Sequence, residues 1–273
     1  MNEIEALQQE LEQTKLAYQM AAQLSEFKTG FLVRTAHELR SPLSSLIGLH
    51  QLILSDLCDN AAEEREFIAE SYKAAQKLMK MIDEIVNVSK IEYGRISLTI
   101  EPIKITRVFQ KLHKLTNLQA INRGLKLKFE TPETEIYIKA DYQRFVHSLV
   151  TLVDAGISLL ERGTILVSSG GKSSQNLAEI TIDLPCSTVR WKKEKPILDL
   201  DELTLESLKQ FSHQVEMSPG MKLMICQTLL EKMGGQLDMI ELTSEHSPEP
   251  FTRLLMLIPF AGKSDLVQSQ IRS

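Results

Sequence analysis

The first third of the chain carries apolar residues at alternating steps of three and four, the spacing of a coiled-coil or helical-bundle seam. The row consists of Ala36, Leu39, Leu43, Leu46, His50, Ile53 and Leu57, and it continues upstream through Ile4, Leu7, Leu11, Tyr18, Leu24 and Phe27. It predicts one helix that runs unbroken to about Leu57. A phase drift near Thr14 is typical of a stutter. Pro42 has no N–H group, so we expect the helix to bend there.

A second long helix is predicted after a turn at Asp59 and Asn60. Asn60 with Glu63 three residues later is the pattern of an N-cap with a reciprocal glutamate, and Gly94 is a plausible left-handed stop. The apolar stripe of this helix consists of Ile68, Ser71, Ala75, Leu78, Ile82, Ile85 and Ser89, widened by Ala74, Met81 and Val88. Two helices joined by a short turn form an antiparallel hairpin. Pairing two hairpins about a two-fold axis closes a four-helix bundle, so the sequence predicts a homodimer.

From Ile96 onward the pattern changes to alternating strands and helices. The predicted strands are residues 125–130, 136–139, 163–169, 179–184, 236–242 and 253–259. The predicted helices are residues 105–121, 141–160, 201–213 and 219–233. The Gly/Ser-rich residues 168–176 are predicted to form a hairpin turn rather than a ligand loop. This arrangement predicts an α+β sandwich with helices on one face of a sheet.

Length, charge and cysteine usage narrow the class of protein. A chain of 273 residues suggests about two domains, and the net charge of −5 with no basic tract argues against nucleic-acid binding. Cys58, Cys186 and Cys226 show no metal-ligand spacing, which indicates unpaired thiols in the cytoplasm. The acidic, amphipathic start is not a signal peptide, and no window reaches the apolar length of a membrane span.

One polar track beside the seam carries His37, Glu38 and Ser41. His37 lies one residue off the seam, so its imidazole is expected to point toward water, and Ser41 follows four residues later. The run from His37 to Leu43, His-Glu-Leu-Arg-Ser-Pro-Leu, resembles the phosphoacceptor box of sensor histidine kinases, where a phenylalanine leads into His-Glu-x-x-(Thr/Asn)-Pro-Leu. Serine in place of threonine or asparagine is the only departure across these seven positions.

The resemblance extends over nearly the whole chain, roughly residues 20 to 262. Residues 89–94 resemble the segment that ends the dimerisation domain of these kinases, and the later strands and helices resemble their catalytic, GHKL-type ATP-binding domain. The implied division is a coiled-coil helix over residues 1–24, a dimerisation and phosphotransfer hairpin over 25–95, an ATPase-like domain over 96–262 and a tail over 263–273. The fold class is therefore an all-α hairpin followed by an α+β sandwich.

The resemblance also implies roles for the polar track. His37 would accept a phosphoryl group, and Glu38 would take the proton from the other ring nitrogen. Ser41 would orient water for hydrolysis of an aspartyl phosphate on a partner. The implied partners are a response-regulator receiver domain, a second copy of the chain, and possibly a separate sensor or kinase. Arg40 is either a phosphate contact or a solvated charge, and the upstream helix is either a zipper or a signal-carrying helix.

The ATP-binding part of the resemblance is incomplete in its first two boxes. The family places two asparagines on the first long helix to hold Mg²⁺, but Thr151 and Ala155 occupy those places here, and Asp154 points about 100° away. The family's adenine-binding aspartate is replaced by Leu184, which alternation places beside Ile180 and Ile182. Alignment of Asp183 instead still leaves no glycine in the next four residues.

The third ATP box, a glycine-rich run that cradles phosphate, survives only as Gly220 within residues 218–223. Lys222 there is weak support for a phosphate contact, and Gly234 with Gly235 reads as a helix stop and turn. Each lost contact costs roughly 1–3 kcal/mol. The combined loss exceeds about 5 kcal/mol, or roughly four orders of magnitude in affinity. We therefore expect no ATP or Mg²⁺ cofactor.

Three hypotheses follow from the sequence. The favoured one is a two-component signalling protein in which His37 exchanges phosphoryl groups with a receiver aspartate, or the dimer dephosphorylates that receiver, without ATP. The second is an ATP-dependent histidine kinase with an unusual nucleotide site. The third is a non-enzymatic dimer that serves as a scaffold for an active kinase. The sequence leaves the enzyme class of the chain open among them.

Overall fold

A computed structural model describes residues 3–132, 134–172, 176–193, 216–244, 247–262 and 265 of the chain. The described residues form two compact units, one containing residues up to Leu78 and the other containing residues from Met79 onward. The boundary lies within a helix, so each unit is described by itself.

Two long helices make up the N-terminal third of the chain. Helix α1 spans Glu3–Leu54 and continues through Pro42, and helix α2 spans Ala61–Glu92. Asn60 Oδ1 accepts hydrogen bonds from the backbone N–H groups of Ala62 and Glu63, both at 3.0 Å. Glu63 Oε2 in turn accepts a hydrogen bond from the N–H of Asp59 at 2.8 Å. The predicted reciprocal cap is therefore confirmed, except that the glutamate binds the residue before Asn60. Gly94 follows α2 with φ of +66°, which confirms the left-handed stop.

Helix α1 has a buried face made mainly of small residues. The buried positions between residues 41 and 52 are Ser41, Pro42, Ser44, Ser45, Gly48, Leu49 and Leu52. Leu49 and Leu52 form a cluster with Phe67 of α2 near the turn. The apolar row predicted from the sequence is only partly covered by the chain, since Leu39, Leu46 and Ile53 are half-buried and Ala36, Leu43, His50 and Leu57 are exposed. Ile53 packs against the cluster, so only the exposed members of the predicted seam remain open.

The buried row of α2 differs from the predicted stripe. Its buried members are Phe67, Ser71, Ala74, Met81, Val88 and Ile91. Ile68 and Ile82, which belong to the predicted stripe, are exposed. Ser71 of the predicted stripe is buried, and Leu78, Ile85 and Ser89 are half-buried, so the stripe is confirmed only in part. The residues proposed to widen it, Ala74, Met81 and Val88, are all buried. Two adjacent apolar rows run along this helix, and spacing alone does not decide which one the chain covers.

The second unit is a mixed sheet with helices packed against it. Its strands are β1 (Glu101–Lys104), β2 (Lys126–Glu130), β3 (Tyr137–Ala140), β4 (Thr164–Lys172), β5 (Leu177–Leu184), β6 (Gln236–Ser244) and β7 (Ser247–Pro259). Its described helices are α3 (Ile105–Asn122), α4 (Tyr142–Leu159), α5 (Thr188–Lys192) and α6 (Pro219–Lys232). The main sheet has the order β2-β4-β5-β7-β6, in which β2 and β4 are parallel and the other pairs antiparallel. The predicted α+β architecture is confirmed.

The sequence missed two short elements. Strand β1 pairs antiparallel with β3 in a separate two-stranded sheet, and α5 is a five-residue helix after β5. The helix predicted over residues 201–213 lies outside the described residues. Strands β4 and β5 form the predicted hairpin, with β4 continuing to Lys172 and Asn176 in the left-handed region at φ of +62°.

Alternating residues of the strands face the helices. Phe129 of β2 contacts Phe109 and His113 of α3 at ring-centroid distances of 5.7 and 5.5 Å. Gly156 of α4 lies against the side chains of Leu184 and Ile165, so closely that a methyl group on Gly156 would overlap Leu184. The helix face of the sheet therefore includes Phe129, Ile165 and Leu184, and their strand neighbours point to the opposite face.

The turn after α6 uses two adjacent glycines for different reasons. Gly234 has φ of +76°, and its N–H donates to the Glu231 carbonyl at 2.9 Å. Gly235 donates to the Leu230 carbonyl at 2.8 Å, and a Cβ on it would lie 2.7 Å from the Leu257 carbonyl oxygen and 2.8 Å from Ile258 Cδ1. The predicted helix stop is confirmed, and the backbone of β7 sets the requirement for the second glycine.

We predict that Gly235→Ala destabilises the second unit by about 1–3 kcal/mol, because the added methyl meets a backbone oxygen that cannot rotate away. The measurement is urea unfolding followed by far-ultraviolet circular dichroism. Gly170→Ala is the matched control, since its Cβ would meet only Glu179 side-chain atoms at 3.4 Å or more. Equal midpoints for the two variants would contradict the prediction.

Candidate functional site

His37 lies on the solvent-exposed side of α1, within a continuous stretch of helix. The neighbouring Glu38 is half-buried, and Arg40 is exposed. A helix holds these side chains in fixed directions, because its backbone hydrogen bonds leave only the side-chain torsions free. The imidazole is therefore presented to an approaching molecule, with a carboxylate on the next residue.

Ser41 lies in a different environment from His37. Its side chain is 8% exposed, and the neighbouring Ser44 and Ser45 are also buried. The sequence predicted that His37, Glu38 and Ser41 share one polar track, but the structure places Ser41 at the edge of the buried face of α1. The physical reason is size, since the small hydroxymethyl groups of these serines fit where a helix packs closely. The exposed nucleophile candidate is therefore His37, with Glu38 next to it.

The second histidine of α1, His50, contacts α2 at its Nε2 atom. This atom lies 3.3 Å from Ser71 Oγ, although the His50 side chain as a whole is exposed. This hydrogen bond joins α1 to α2 and gives His50 a structural contact that His37 is not observed to make. His50 therefore serves as a comparison for His37 on the same helix.

Helix α4, where the resembled family would hold its metal, offers one carboxylate in the relevant turn, Asp154. Ala155 is fully buried, and Asp154 is half-buried with its Oδ1 atom making no hydrogen bond to a described residue. Burial raises the pKa of Asp154, whereas the charges of Lys222 and His147 lower it and that of Glu216 raises it. The raised pKa of Asp154 is thus due mainly to desolvation and not to a neighbouring charge.

These residues do not fit a magnesium ion. Mg²⁺ binds several oxygen ligands in octahedral geometry, usually with one or two carboxylates and substrate phosphates. Among the described residues, no group of three or more His, Cys, Asp or Glu side chains is arranged to hold a metal. The nearest favourable charge to Asp154 is the ammonium of Lys222, which would repel a divalent cation. We therefore derive no chemical step through a metal at α4.

The end of β5 is occupied by an apolar side chain on the helix side. Leu184 is fully buried against Gly156, together with Ile180 and Ile182 on the same face, as the alternation predicts. Asp183 points to the opposite face of the sheet, where both its oxygens accept hydrogen bonds from Arg253, each at 2.7 Å. Neither alignment of the predicted adenine box therefore places a free aspartate between the helices and the sheet.

Helix α5, which the sequence analysis missed, follows β5 in the chain. It carries Trp191, the only tryptophan of the chain, with no exposed surface. Ser187 caps the helix by accepting from the Val189 N–H at 3.2 Å. Glu241 Oε2 on β6 accepts from Ser187 Oγ, Thr188 N and Thr188 Oγ1 at 2.8, 2.9 and 2.7 Å. The Ser-Thr start before a tryptophan is the signal that could have identified this helix.

The start of α6, where the sequence kept only Gly220 of a phosphate-binding run, is a capped helix. Ser218 Oγ accepts from the Met221 N–H at 3.2 Å, and Pro219 occupies the first turn. Gly220 is buried within the first turn of this helix. The cap satisfies one of the N–H groups that would otherwise face an anion.

The chain was compared with protein families and with known proteins. Residues 27–94 match the His Kinase A (phospho-acceptor) domain. An uncharacterized sensor-like histidine kinase of Rhizobium meliloti is 26% identical over 164 residues, covering 59% of this chain and 31% of the relative. The non-motile and phage-resistance protein of Caulobacter vibrioides is 24% identical over 237 residues, covering 85% of this chain and 28% of the relative. The chain thus spans less than a third of the length of these two relatives.

Solved structures resemble the fold. Histidine kinase AdeS of Acinetobacter baumannii aligns with a TM-score of 0.55 and 16% identity, covering 83% of this chain and 98% of that one. Histidine kinase ThkA, solved in complex with the response regulator protein TrrA, aligns with a TM-score of 0.56 and 15% identity, covering 91% and 66%. These likenesses confirm the predicted fold class of a helical hairpin followed by an α+β sandwich. No described helix has the apolar run that a bilayer span requires.

We predict that Glu241 anchors α5 and that its effect depends on pH. Hydrogen bonds from Thr188 and Ser187 lower the pKa of Glu241 from its ordinary value of 4.5. Its contribution to stability is therefore complete above about pH 4.5 and is lost as the pH falls through the lower folded-state pKa. At pH 7, Glu241→Gln should shift the Trp191 emission to longer wavelength and lower the urea midpoint.

The difference between Glu241→Gln and the unchanged chain should shrink as the pH is lowered below about 4.5. Glu130→Gln is the control, because Glu130 is an exposed glutamate with no hydrogen bond to a described residue. A midpoint difference that stays constant from pH 7 to pH 3 would contradict the assignment.

Proposed function

Because the chain belongs to the two-component sensor histidine kinase family, we propose that it exchanges phosphoryl groups through His37 without using ATP. The exchange partner in this proposal is the aspartate of a response-regulator receiver domain. The dimer either accepts the phosphoryl group from that aspartate or promotes its hydrolysis.

One observation carries the proposal: the exposed His37 lies in the residues that match a phospho-acceptor domain. The matched range is 27–94, and within it His37 is followed by Glu38 on a rigid helix. Imidazole keeps a nitrogen lone pair available near neutral pH, so it can act as a nucleophile toward phosphorus. In this proposal Glu38 receives the proton from the other ring nitrogen, as the phosphorus–nitrogen bond forms and the phosphorus–oxygen bond to the receiver aspartate breaks.

Ser41 has a smaller part in the proposal. A hydroxyl that orients the water for hydrolysis must be reached by that water, and the Ser41 side chain is 8% exposed. We therefore assign phosphoryl transfer to His37 and Glu38. Hydrolysis through Ser41 requires that the receiver or a rotation of the side chain open the edge of the buried face.

The absence of ATP use in the proposal is supported by the second unit. Leu184 is buried against Gly156 of α4, Trp191 of α5 is fully buried, and Asp183 is paired with Arg253 on the other face of the sheet. Ala155 offers no ligand, and Ser218 caps the helix whose N–H groups would meet phosphate. The framework is packed through apolar contacts, so the fold does not depend on a nucleotide.

The partners in the proposal are a receiver domain and a second copy of the chain. The related ThkA structure contains a response regulator, which supports a receiver as the class of partner. The exposed apolar residues of the hairpin up to Leu78 support the second copy, because a soluble helix pair leaves few such residues uncovered. They are Leu32, Val33, Leu43, Ile47, Leu54, Leu57, Ile68 and Tyr72.

We predict that His37→Ala abolishes phosphoryl exchange. The full chain is mixed with each receiver domain of the source organism, phosphorylated beforehand with a labelled acyl phosphate. At least one receiver should pass label to the chain as acid-labile phosphate, or lose its label at least ten-fold faster. Removal of the imidazole removes the nucleophile and should eliminate the transfer to the chain, whereas His50→Ala, on the same helix, should leave it within two-fold.

The same experiment tests the ATP part of the proposal. Labelled ATP with Mg²⁺ at millimolar concentration should leave the full chain unlabelled, and titration with the nucleotide should not change the Trp191 emission. Transfer of label from ATP to His37 would show instead an ATP-dependent kinase. If no receiver passes label to the chain and none loses its label faster, the proposed phosphoryl exchange is contradicted.

We predict that Leu43→Asp disrupts the dimer. Leu43 is 49% exposed in the single chain and lies on the predicted seam, so a carboxylate there would be buried twice in a symmetric interface. The dimer dissociation constant should rise by roughly 30-fold or more, as expected for about 2 kcal/mol or more at an interface centre. Sedimentation velocity measures the change, with Arg40→Asp as an exposed control on the same helix. An unchanged dimer would contradict the assignment of this seam.

A further inference from the structure

The segment from Pro102 to Phe129, which includes α3, concentrates positive charge. It contains no aspartate or glutamate, although the whole chain has a net charge of −5. Its cations are Lys104, Arg107, Lys111, Lys114, Arg123, Lys126 and Lys128. Uncharged residues separate these cations, so they form no continuous basic run in the sequence. The fold shows which of them share a surface.

Several of these cations already have partners in the fold. Lys104 pairs with Glu135, and the Arg107 guanidinium lies 4.8 Å from the centre of the Tyr142 ring. Arg123 donates to the carbonyl oxygens of Ile157 and Ser158 at 3.3 and 3.4 Å. Lys111 and Lys114, both exposed on α3, form no ion pair with a described residue. Two unpaired positive charges therefore remain on this helix.

The outer face of α3 also carries large apolar side chains. Leu115, Leu118 and Ile121 are 49%, 69% and 58% exposed. The opposite face of the helix, which includes Val108, Leu112 and Ala120, is fully buried in the domain. The exposed aliphatic residues are therefore additional to the core-facing side of α3, and none of them is needed to hold the helix in place.

The exposed residues follow the spacing of a helix-packing seam. Lys111, Lys114, Leu118 and Ile121 succeed one another at steps of three, four and three, and Leu115 lies beside them. This spacing lets a second helix pack along α3 with its own apolar side chains between those of α3. We call the surface formed by Lys111, Lys114, Leu115, Leu118 and Ile121 the α3 face.

We propose that the α3 face is a docking site for an acidic amphipathic helix of a partner protein. Leucine-like side chains on that helix pack against Leu115, Leu118 and Ile121, and its carboxylates lie opposite Lys111 and Lys114. An anionic membrane is the weaker fit, because such surfaces are held by clusters of about four to eight cations and the α3 face has two unpaired ones. The inference does not rest on phosphoryl chemistry at His37.

The test uses two labelled synthetic 21-residue helical peptides and the full chain. Both peptides carry leucine at heptad positions a and d, and they differ in having glutamate or lysine at the flanking positions. By fluorescence anisotropy at 50 mM salt, the glutamate peptide should bind at least ten-fold more tightly than the lysine peptide. The preference should fall as salt is raised to 300 mM, since exposed charges are screened.

Matched variants locate the binding. The double change Lys111→Glu with Lys114→Glu, and the single change Leu118→Glu, should each weaken the glutamate peptide at least ten-fold. Lys126→Glu with Lys128→Glu is the charge-matched control, because these lysines lie on the face of the sheet opposite to α3. Ile240→Glu is the apolar control, since Ile240 is exposed on β6. Unchanged Trp191 emission verifies that each variant is folded.

Three outcomes would overturn the inference. If both double lysine-to-glutamate variants weaken peptide binding equally, the effect comes from net charge alone and not from the α3 face. If the two peptides bind equally, the α3 face has no preference for an acidic partner. Binding of the chain to phosphatidylserine–phosphatidylcholine vesicles, lost in Leu118→Glu and unaccompanied by peptide binding, would identify a membrane surface instead. Selective loss in the α3-face variants alone would support the helix-docking site.

Discussion

The close approach of α4 to β5 is the constraint on which the second unit depends. Gly156 lets the helix lie directly on Leu184, and a methyl group at this position would overlap Leu184 Cδ2, so that side chain would have to shift. An apolar side chain at the end of β5 thus does the packing itself, in a fold whose relatives are histidine kinases. Trp191 on α5, the next element, is also fully buried.

Helix α1 buries small residues such as Ser45 and Gly48 together with Leu49 and Leu52, whereas other large aliphatic residues such as Leu43 and Leu54 remain exposed. Small buried groups allow close helix packing, and the larger groups outside remain available for a second molecule. His37 is exposed on the same helix, so one element combines the packing of the hairpin, exposed apolar side chains and the candidate nucleophile.

The sequence predicted those features that depend on local chemistry. The Asn60 cap, the Gly94 stop and the strand alternation around Leu184 are each set by a few adjacent residues. It failed where two apolar rows compete, as on α2, because spacing does not reveal which row the same chain covers. The sequence also assigned Ser41 to the polar track, although its side chain is only 8% exposed. Strand β1 and helix α5 are too short for their periodicity to be seen.

Strand β2 forms one edge of the main sheet and pairs only with β4. Lys126 and Lys128 alternate along its exposed side. Charged side chains on an edge strand oppose the addition of another strand, because an added strand would partly desolvate the charges. The sheet is thus protected from extending into polymers at this edge. A molecule that approaches the domain from this side must bind through side chains rather than by continuing the hydrogen-bonded ladder.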